Sequence, residues 1–391
     1  MKSPLLICPS FFDQRMDGVG RVTGALATAM ERIAGRAPRI LSSNDPVDAC
    51  APDAGLCFAR SYRKMLYTAV AVPGRLCGPD AAAPQSRAAG SELPVVCSHL
   101  GLSPVARILA ARSGRPYVVF IHGVEAWKRL RFRQRWGLAG AARLLVNSHY
   151  TLGHFLAFNP WARAVTATVT PLGVPITGLE GGSQAACEPS GFPTILTVGR
   201  MSKEEYYESY RDPSDLYKGF KTVVEAVGLL RNMGVPAVLD LVGDGNARAD
   251  LERWVATQPV APFVNFCGRV SDAGLARHYS RAKVFVLASE GEGFGLVYAE
   301  AMAYGLPCVG VGAGATPEVV IDDESGYIVR ARDSREIADR LFVLLSNPAT
   351  YARLSAGAAM RHRKHYTQEA FIRRLVSALS EPGAGGPKSV S

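Results

Sequence analysis

Seven residues separate Glu292 from Glu300 in the stretch Ser289-Glu-Gly-Glu-Gly-Phe-Gly-Leu-Val-Tyr-Ala-Glu-Ala-Met-Ala-Tyr-Gly305. Two carboxylates held at that separation can accept hydrogen bonds from hydroxyls at two ends of one extended polar ligand. Gly291, Gly293 and Gly295 between and beside them let backbone approach such a ligand closely. The elements that must hold these groups are legible on either side. Residues 282–288, Ala-Lys-Val-Phe-Val-Leu-Ala, form an apolar run that predicts a buried strand. Leu296 to Tyr304 has helical composition and stops at Gly305. Pro307 to Val311 is the next strand. In a strand–turn–helix–strand unit the turn lies at the carboxyl end of the strand, where open α/β sheets bind ligands. A helix starting near Gly295 points unpaired N–H groups and a partial positive charge at the turn, which suits a phosphate. Two glutamates eight apart are also what a solvated helix face carries, but such a face has no need of three closely spaced glycines.

Residues 290–303 resemble the Glu-x7-Glu signature of retaining glycosyltransferases of family 4. The fold class this implies is α/β of the GT-B type, two Rossmann-like doubly wound domains facing a central cleft. The resemblance implies that Glu292 contacts hydroxyls of a donor sugar and that Glu300 holds the ribose of its nucleotide. It places the backbone N–H groups of Gly293, Phe294, Gly295 and Leu296 on the diphosphate. Val198-Gly-Arg200 and Tyr217-Lys-Gly-Phe220 match the family's two diphosphate-holding cations, so Arg200 and Lys218 are expected to neutralise charge growing on the leaving nucleotide. They would replace a divalent metal; no Asp-x-Asp motif occurs, and neither metal nor cofactor is expected. The insert 201–216 is longer than is usual, which leaves Lys203 as a rival to Lys218, and it is expected to act as a lid or an acceptor contact. Gly243 is placed near the nucleotide, and Arg269 and Val270 beside the base. Gly18 and Gly20 correspond to a glycine loop closing over the donor phosphates, with Asp17 where the family has its first glycine. His122, ending the apolar strand Tyr117–Ile121, is expected to contact the donor sugar. His122, Glu292, Arg200 and Lys218 are thus the catalytic candidates. Each also has a plain structural reading as a surface cation, turn residue or satisfied histidine. Ser148 in Val146-Asn-Ser-His-Tyr-Thr151 reads as a helix N-cap.

Strand-like and helix-like runs alternate through the 391 residues, which predicts doubly wound domains. The first half offers strands at 5–7, 39–41, 95–97, 117–121, 143–146 and 167–169. The second offers 194–198, 237–242, 264–266, 283–286, 307–311 and 327–329. The glycine-rich polar stretch 178–191 reads as a linker. An acceptor domain over 1–177 and a donor domain over 192–365 follow. By resemblance, a helix over 366–380 packs back on the first domain. Residues 79–94 are expected to be a mobile loop and 381–391 a disordered tail.

Hydrophobic residues make up 48% and charged residues 20%, an ordinary globular balance. No apolar run approaches the roughly 18–20 residues a spanning helix needs, and the N-terminus reads as a strand rather than a secretory signal. The eight cysteines show no paired or metal-ligand spacing, which points to a reduced, cytoplasmic setting. The net charge of +10 suits an anionic partner. Its densest source is Glu125-Ala-Trp-Lys-Arg-Leu-Arg-Phe-Arg-Gln-Arg-Trp136, where Lys128, Arg129, Arg131, Arg133 and Arg135 interleave with Trp127, Phe132 and Trp136. Such a segment is either a solvated basic face or an interfacial one, with cations on anionic lipid and aromatics at headgroup level. Arg60, Arg63 and Lys64 are candidates to extend it. No nucleic-acid module surrounds it, so no nucleic-acid partner is expected.

The expectation is therefore a metal-independent, retaining hexosyltransferase, peripheral on the inner face of a membrane. Its donor would be GDP-mannose or a UDP-sugar, and its acceptor a saccharide, lipid-linked, in polysaccharide or glycolipid assembly. A sugar-nucleotide epimerase or phosphorylase of the same fold, or a non-catalytic anion-binding protein built on it, are the competing readings.

Overall fold

Among the described residues, short β-branched and leucine-rich runs form thirteen parallel strands in two sheets. The computed structural model describes residues 3–11, 18–46, 49, 55–71, 93–175, 191–202 and 218–380. Among these, the chain divides into two units, Met1–Leu172 with Gln368–Ser391, and Gly173–Thr367. The linker expected at 178–191 falls, Gly191 excepted, outside the described residues, as do the 381–391 tail, nearly all of the 79–94 loop and, from residue 203, the 201–216 insert with Lys203.

The first unit is built from β1 (Leu5–Cys8), α1 (Gly18–Ala34), β2 (Arg39–Ser42), β3 (Gly55–Cys57), α2 (Tyr62–Ala71), β4 (Val95–Cys97), α3 (Ser103–Ser113), β5 (Tyr117–Ile121), α4 (Phe132–Ala139), β6 (Arg143–Val146), α5 (His149–Phe158) and β7 (Ala167–Val169). Its sheet runs β3-β2-β1-β4-β5-β6-β7, every pair parallel. The strand order reverses between β1 and β4. β3 was not expected: Gly-Leu-Cys is too short to show a period, and it becomes a strand because β2 offers it an edge. β5, buried at all five positions, reads as the continuous apolar run of a doubly covered strand.

The second unit comprises β8 (Thr194–Val198), α6 (Phe220–Asn232), β9 (Val238–Val242), α7 (Arg248–Ala256), β10 (Val264–Gly268), α8 (Asp272–Arg281), β11 (Val284–Leu287), α9 (Leu296–Ala303), β12 (Cys308–Val311), α10 (Thr316–Val319), β13 (Gly326–Val329), α11 (Ser334–Ser346) and α12 (Pro348–Arg361). Its sheet runs β10-β9-β8-β11-β12-β13, again all parallel, and reverses between β8 and β11. One face buries Leu239, Leu241, Val284 and Val286 with Val223, Val227 and Leu230 of α6 and Leu341 of α11. Each such side chain contributes about 1.5–3 kcal/mol.

A π-turn at His362–Tyr366 leads into α13 (Gln368–Ser380), which belongs to the first unit. Its apolar positions 371, 372, 375, 378 and 379 repeat at helical spacing and are buried. They meet α1, whose Val22, Leu26, Ala29 and Met30 form the matching stripe. Phe371 packs edge-on against Phe120 of β5, with ring centroids 6.5 Å apart. Arg143, buried in β6, donates to the Ala378 carbonyl at 3.1 Å and so satisfies a helix end. The exposed Arg32–Glu369 pair at 2.7 Å is screened by solvent and adds little.

No helix among the described residues is long and apolar enough to cross a membrane.

Candidate active site

The switch point of the second sheet gathers most of the residues singled out in the sequence. β8 ends at Val198, and Gly199 and the exposed Arg200 follow it. β11 ends at Leu287, and Ser289 to Gly295 follow. These neighbouring strands therefore deliver Arg200 and the glutamate turn to one edge. Lys218 reaches that edge from just before α6. Gly219 makes this possible: its φ is +65°, and an added Cβ would lie 2.4 Å from the Ala288 carbonyl oxygen. A Cβ on Gly199 would stand 3.7 Å from Lys218 Cδ, so the lysine stem runs beside the residue preceding Arg200.

Lys218 Nζ pairs with Glu292 Oε1, with side chains only 13% and 10% exposed. A cation and a carboxylate so far from water stabilise one another only as a pair, since either alone leaves a charge uncompensated. Glu292 is also fixed through its backbone. The Ala315 N–H donates to the Glu292 carbonyl at 2.8 Å. Gly314, at φ +62°, lies so close that an added Cβ would stand 2.8 Å from that oxygen. The loop after β12 thus clamps the acid turn. Ahead of it, Glu290 is held by Arg332 Nε at 2.6 Å, and Arg332 itself adopts φ +60°.

α9 begins at Leu296 with Gly295 as N-cap in the left-handed region, and no side chain caps it. Its opening N–H groups therefore face the glutamate turn. Glu300 is the fifth residue of this helix, and Tyr279 of α8 donates to its Oε2 at 2.8 Å. Tyr298, fully buried, donates to the Leu287 carbonyl at 2.8 Å. Burial, with Glu292 second, pushes its phenol well above the usual value. Phe294 is also buried and packs edge-on against Tyr366.

The ends of β9 and β10 complete this edge. Gly243 follows β9; its N–H donates to the Gly268 carbonyl at 2.9 Å, so its role is close packing between two strand ends. Arg269, exposed, and the half-buried Val270 follow β10. Among the described residues, one group has the proximity of a metal-binding set: Asp240, Cys267 and His278. It fits an ion poorly. Asp240 already accepts from His278 Nδ1 at 3.0 Å, from Asn265 at 2.9 Å and from the Arg281 guanidinium. Burial pushes this carboxyl up, yet those hydrogen bonds outweigh it and hold the pKa below its ordinary value.

The first unit is different in kind. His122 follows β5 and its Nε2 lies 2.7 Å from the Ser98 carbonyl. Its own N–H donates to Glu125 at 2.6 Å, and its ring stacks on His99 with centroids 6.0 Å apart. Ser148 caps α5 by accepting from the Thr151 N–H at 3.0 Å. Gly18 and Gly20 do not form a loop: they lie in the first turn of α1, and Asp17 is outside the described residues. Both glycines precede the buried stripe of this helix, which begins at Val22.

The basic segment also departs from expectation. Trp127 is not an interfacial aromatic; it is buried, edge-on to Tyr150 at 5.3 Å, because the chain turns inward before α4. Trp136 carries Arg107 over its ring at 4.5 Å. Lys128, Arg129, Arg131, Arg133 and Arg135 are all exposed, and Phe132 is 80% exposed among them. Burial raises the Tyr62 phenol while Arg133 works against it, which brings the charge of Arg133 to bear on α2. There Arg63, Lys64 and Tyr67 are exposed as well, with Arg60 just before the helix. Tyr279, Gly314 and Arg332 carried no sequence signal, since each acts on a residue distant in the chain.

Residues 214–361 match the family model of glycosyl transferases group 1. A D-inositol 3-phosphate glycosyltransferase of Thermomonospora curvata is 33% identical over 208 residues, 52% of this chain and 47% of that protein. A phosphatidyl-myo-inositol mannosyltransferase of Mycobacterium leprae is 31% identical over 202 residues, 51% and 50% of the two chains. The matching stretch thus spans about half the length of these curated relatives. Anabaena HepE, solved with UDP and glucose, superposes with a TM-score of 0.68 at 14% identity, covering 98% of this chain and 100% of that one. The sucrose-phosphate synthase of Thermosynechococcus elongatus gives 0.68 at 19% identity, covering 96% and 98%. The fold is GT-B, and within it residues 214–361 are similar to the glycosyl transferases group 1 family.

Proposed function

We propose that the protein is a retaining hexosyltransferase that takes its sugar from a nucleoside-diphosphate donor bound at the carboxyl edge of the second sheet. The observation that carries this reading is the juxtaposition, at one switch point, of Lys218, Arg200, an uncapped helix start and the Glu292 and Glu300 carboxylates. The diphosphate sits against the cations and the N–H groups of 293–296, Glu292 takes sugar hydroxyls, and Glu300 takes the ribose. Gly243, Arg269 and Val270 border the nucleotide. Solved neighbours bind UDP and UDP-glucose, and a mycobacterial relative is named for its dependence on GDP-mannose, which support both donors.

In the reaction the sugar C1–O bond to the diphosphate breaks and a bond from the acceptor oxygen forms on the same face. The acceptor proton passes to the departing phosphate oxygen. Charge grows on that oxygen, so Arg200 and Lys218 lower the barrier more than they tighten binding. They perform the work a divalent ion does elsewhere, and transfer should survive chelator.

The acceptor is an anionic or lipid-linked saccharide, recognised by the first unit. Support comes from the exposed cations Lys128 to Arg135 around Phe132, and from two relatives named for phosphate-bearing inositols. The same face holds the protein to anionic lipid at a cytoplasmic membrane surface. Incubation with UDP-hexoses and GDP-mannose, with phosphatidylinositol as acceptor, tests the reading. NMR of the product should show the donor's anomeric configuration. An inverted product would refute the mechanism, and donor turned over with no sugar transferred to the acceptor would favour an epimerase or phosphorylase.

A further inference from the structure

Glu300 has a partner that no motif announces. Tyr279 is 2% exposed, its hydroxyl lies 2.8 Å from Glu300 Oε2, and the Val297 carbonyl is farther away at 3.4 Å. The phenol ring is locked in place. It stacks on Tyr304 with centroids 5.5 Å apart at 14° and leans on Phe285 at 6.2 Å. The helix that carries it is locked as well. His278 and Arg281, on either side in α8, both reach the buried Asp240 of β9, which Asn265 of β10 also grips. A rigid chain of contacts therefore runs from β9 through α8 to one oxygen of one carboxylate.

We propose that Tyr279 is a positioning residue for nucleotide recognition: it fixes the plane of the Glu300 carboxylate and thereby sets the preference for a ribose over a 2′-deoxyribose. The inference rests on the reading of Glu300 as the ribose ligand. A carboxylate on a flexible stem accepts from any hydroxyl within reach. With one oxygen pinned by a charge-assisted hydrogen bond, its remaining lone pairs point in fixed directions, and a vicinal diol is favoured over a single hydroxyl. The pinning is made before ligand arrives, so its entropic cost does not fall on binding.

Calorimetric titration of UDP, 2′-deoxy-UDP, GDP and 2′-deoxy-GDP into the wild type, Tyr279→Phe and Glu300→Ala separates the possibilities. The phenylalanine keeps the ring and its stacking. Wild type should prefer the ribonucleotide of one base, and Glu300→Ala should abolish that preference. Tyr279→Phe should bind the ribonucleotide about tenfold more weakly with the deoxy form unchanged, and should raise donor KM with kcat held. If Glu300→Ala removes the preference while Tyr279→Phe keeps it, or weakens both forms equally, the positioning role is wrong and the ribose reading stands. If Glu300→Ala leaves the preference intact, the ribose reading itself falls. Should Tyr279→Phe fail to fold, 3-fluorotyrosine at 279 retains the shape with a stronger donor. It should widen the preference, and an unchanged ratio would overturn the proposal.

Discussion

The two sheets repeat one architecture, yet their switch points are furnished differently. At the second, side chains from separate segments meet at charged groups: Lys218 with Glu292, Glu290 with Arg332, and the Tyr279 phenol of α8 with Glu300 of α9. At the first, the described residues after β4 and β5 bind mostly to backbone. His122 meets the Ser98 carbonyl, and the Asn147 amide meets the His122 carbonyl. Charge in the first unit lies on its outer helices instead, around α4 and α2. The same winding thus carries paired charges at the sheet edge of one unit and a broad exposed cationic face on the other.

If that division is right, substitutions in one unit should leave the other's binding intact. The largest effect is expected at the Lys218–Glu292 pair. Glu292→Gln or Lys218→Met should each lower transfer by about 10²–10³-fold in steady-state assays. Removing the lysine alone should also cost about 3 kcal/mol of stability by urea unfolding, because Glu292 is left buried with its charge. The double variant should regain most of that loss. Replacing Arg131, Arg133 and Arg135 by glutamine should weaken binding to phosphatidylglycerol vesicles by about 3 kcal/mol, with nucleotide affinity unchanged. A loss of both would break the comparison. Gly314→Ala should cost about 1–3 kcal/mol in unfolding and lower kcat, since the new methyl presses on the Glu292 backbone.

The smallest effect is in the pH dependence of stability. Asp240 has a folded pKa below its unfolded value near 3.9. Its contribution is therefore present above pH of about 4 and is lost as pH falls through the folded value. Asp240→Asn should flatten the acid limb of the stability curve in that window and leave its shape near neutrality.

Much of the second unit's candidate site was legible because its groups come from one contiguous strand–turn–helix. Glu292, Glu300 and three glycines lie within ten residues, and their spacing alone fixes strand end, turn and helix start. Lys218 was legible only through resemblance; what places it is Gly219, whose left-handed backbone has no signature outside the fold. Tyr279 and Gly314 were invisible for the same reason, since each acts across a loop on a residue remote in sequence. In the first unit Gly18 and Gly20 lie in the first turn of α1 rather than in a loop, and Trp127 went inward although its neighbours are basic. A mixed run of cations and aromatics does not reveal which aromatics turn inward, because burial is decided by packing partners such as Tyr150.

One titration bears most directly on the whole account: a UDP-hexose and GDP-mannose, each added by calorimetry to wild type and to Lys218→Met. The edge described above should bind one of the two in the wild type and lose at least about tenfold in affinity without the lysine. Equal affinity in both proteins, or no binding of either sugar nucleotide to the wild type, would contradict it.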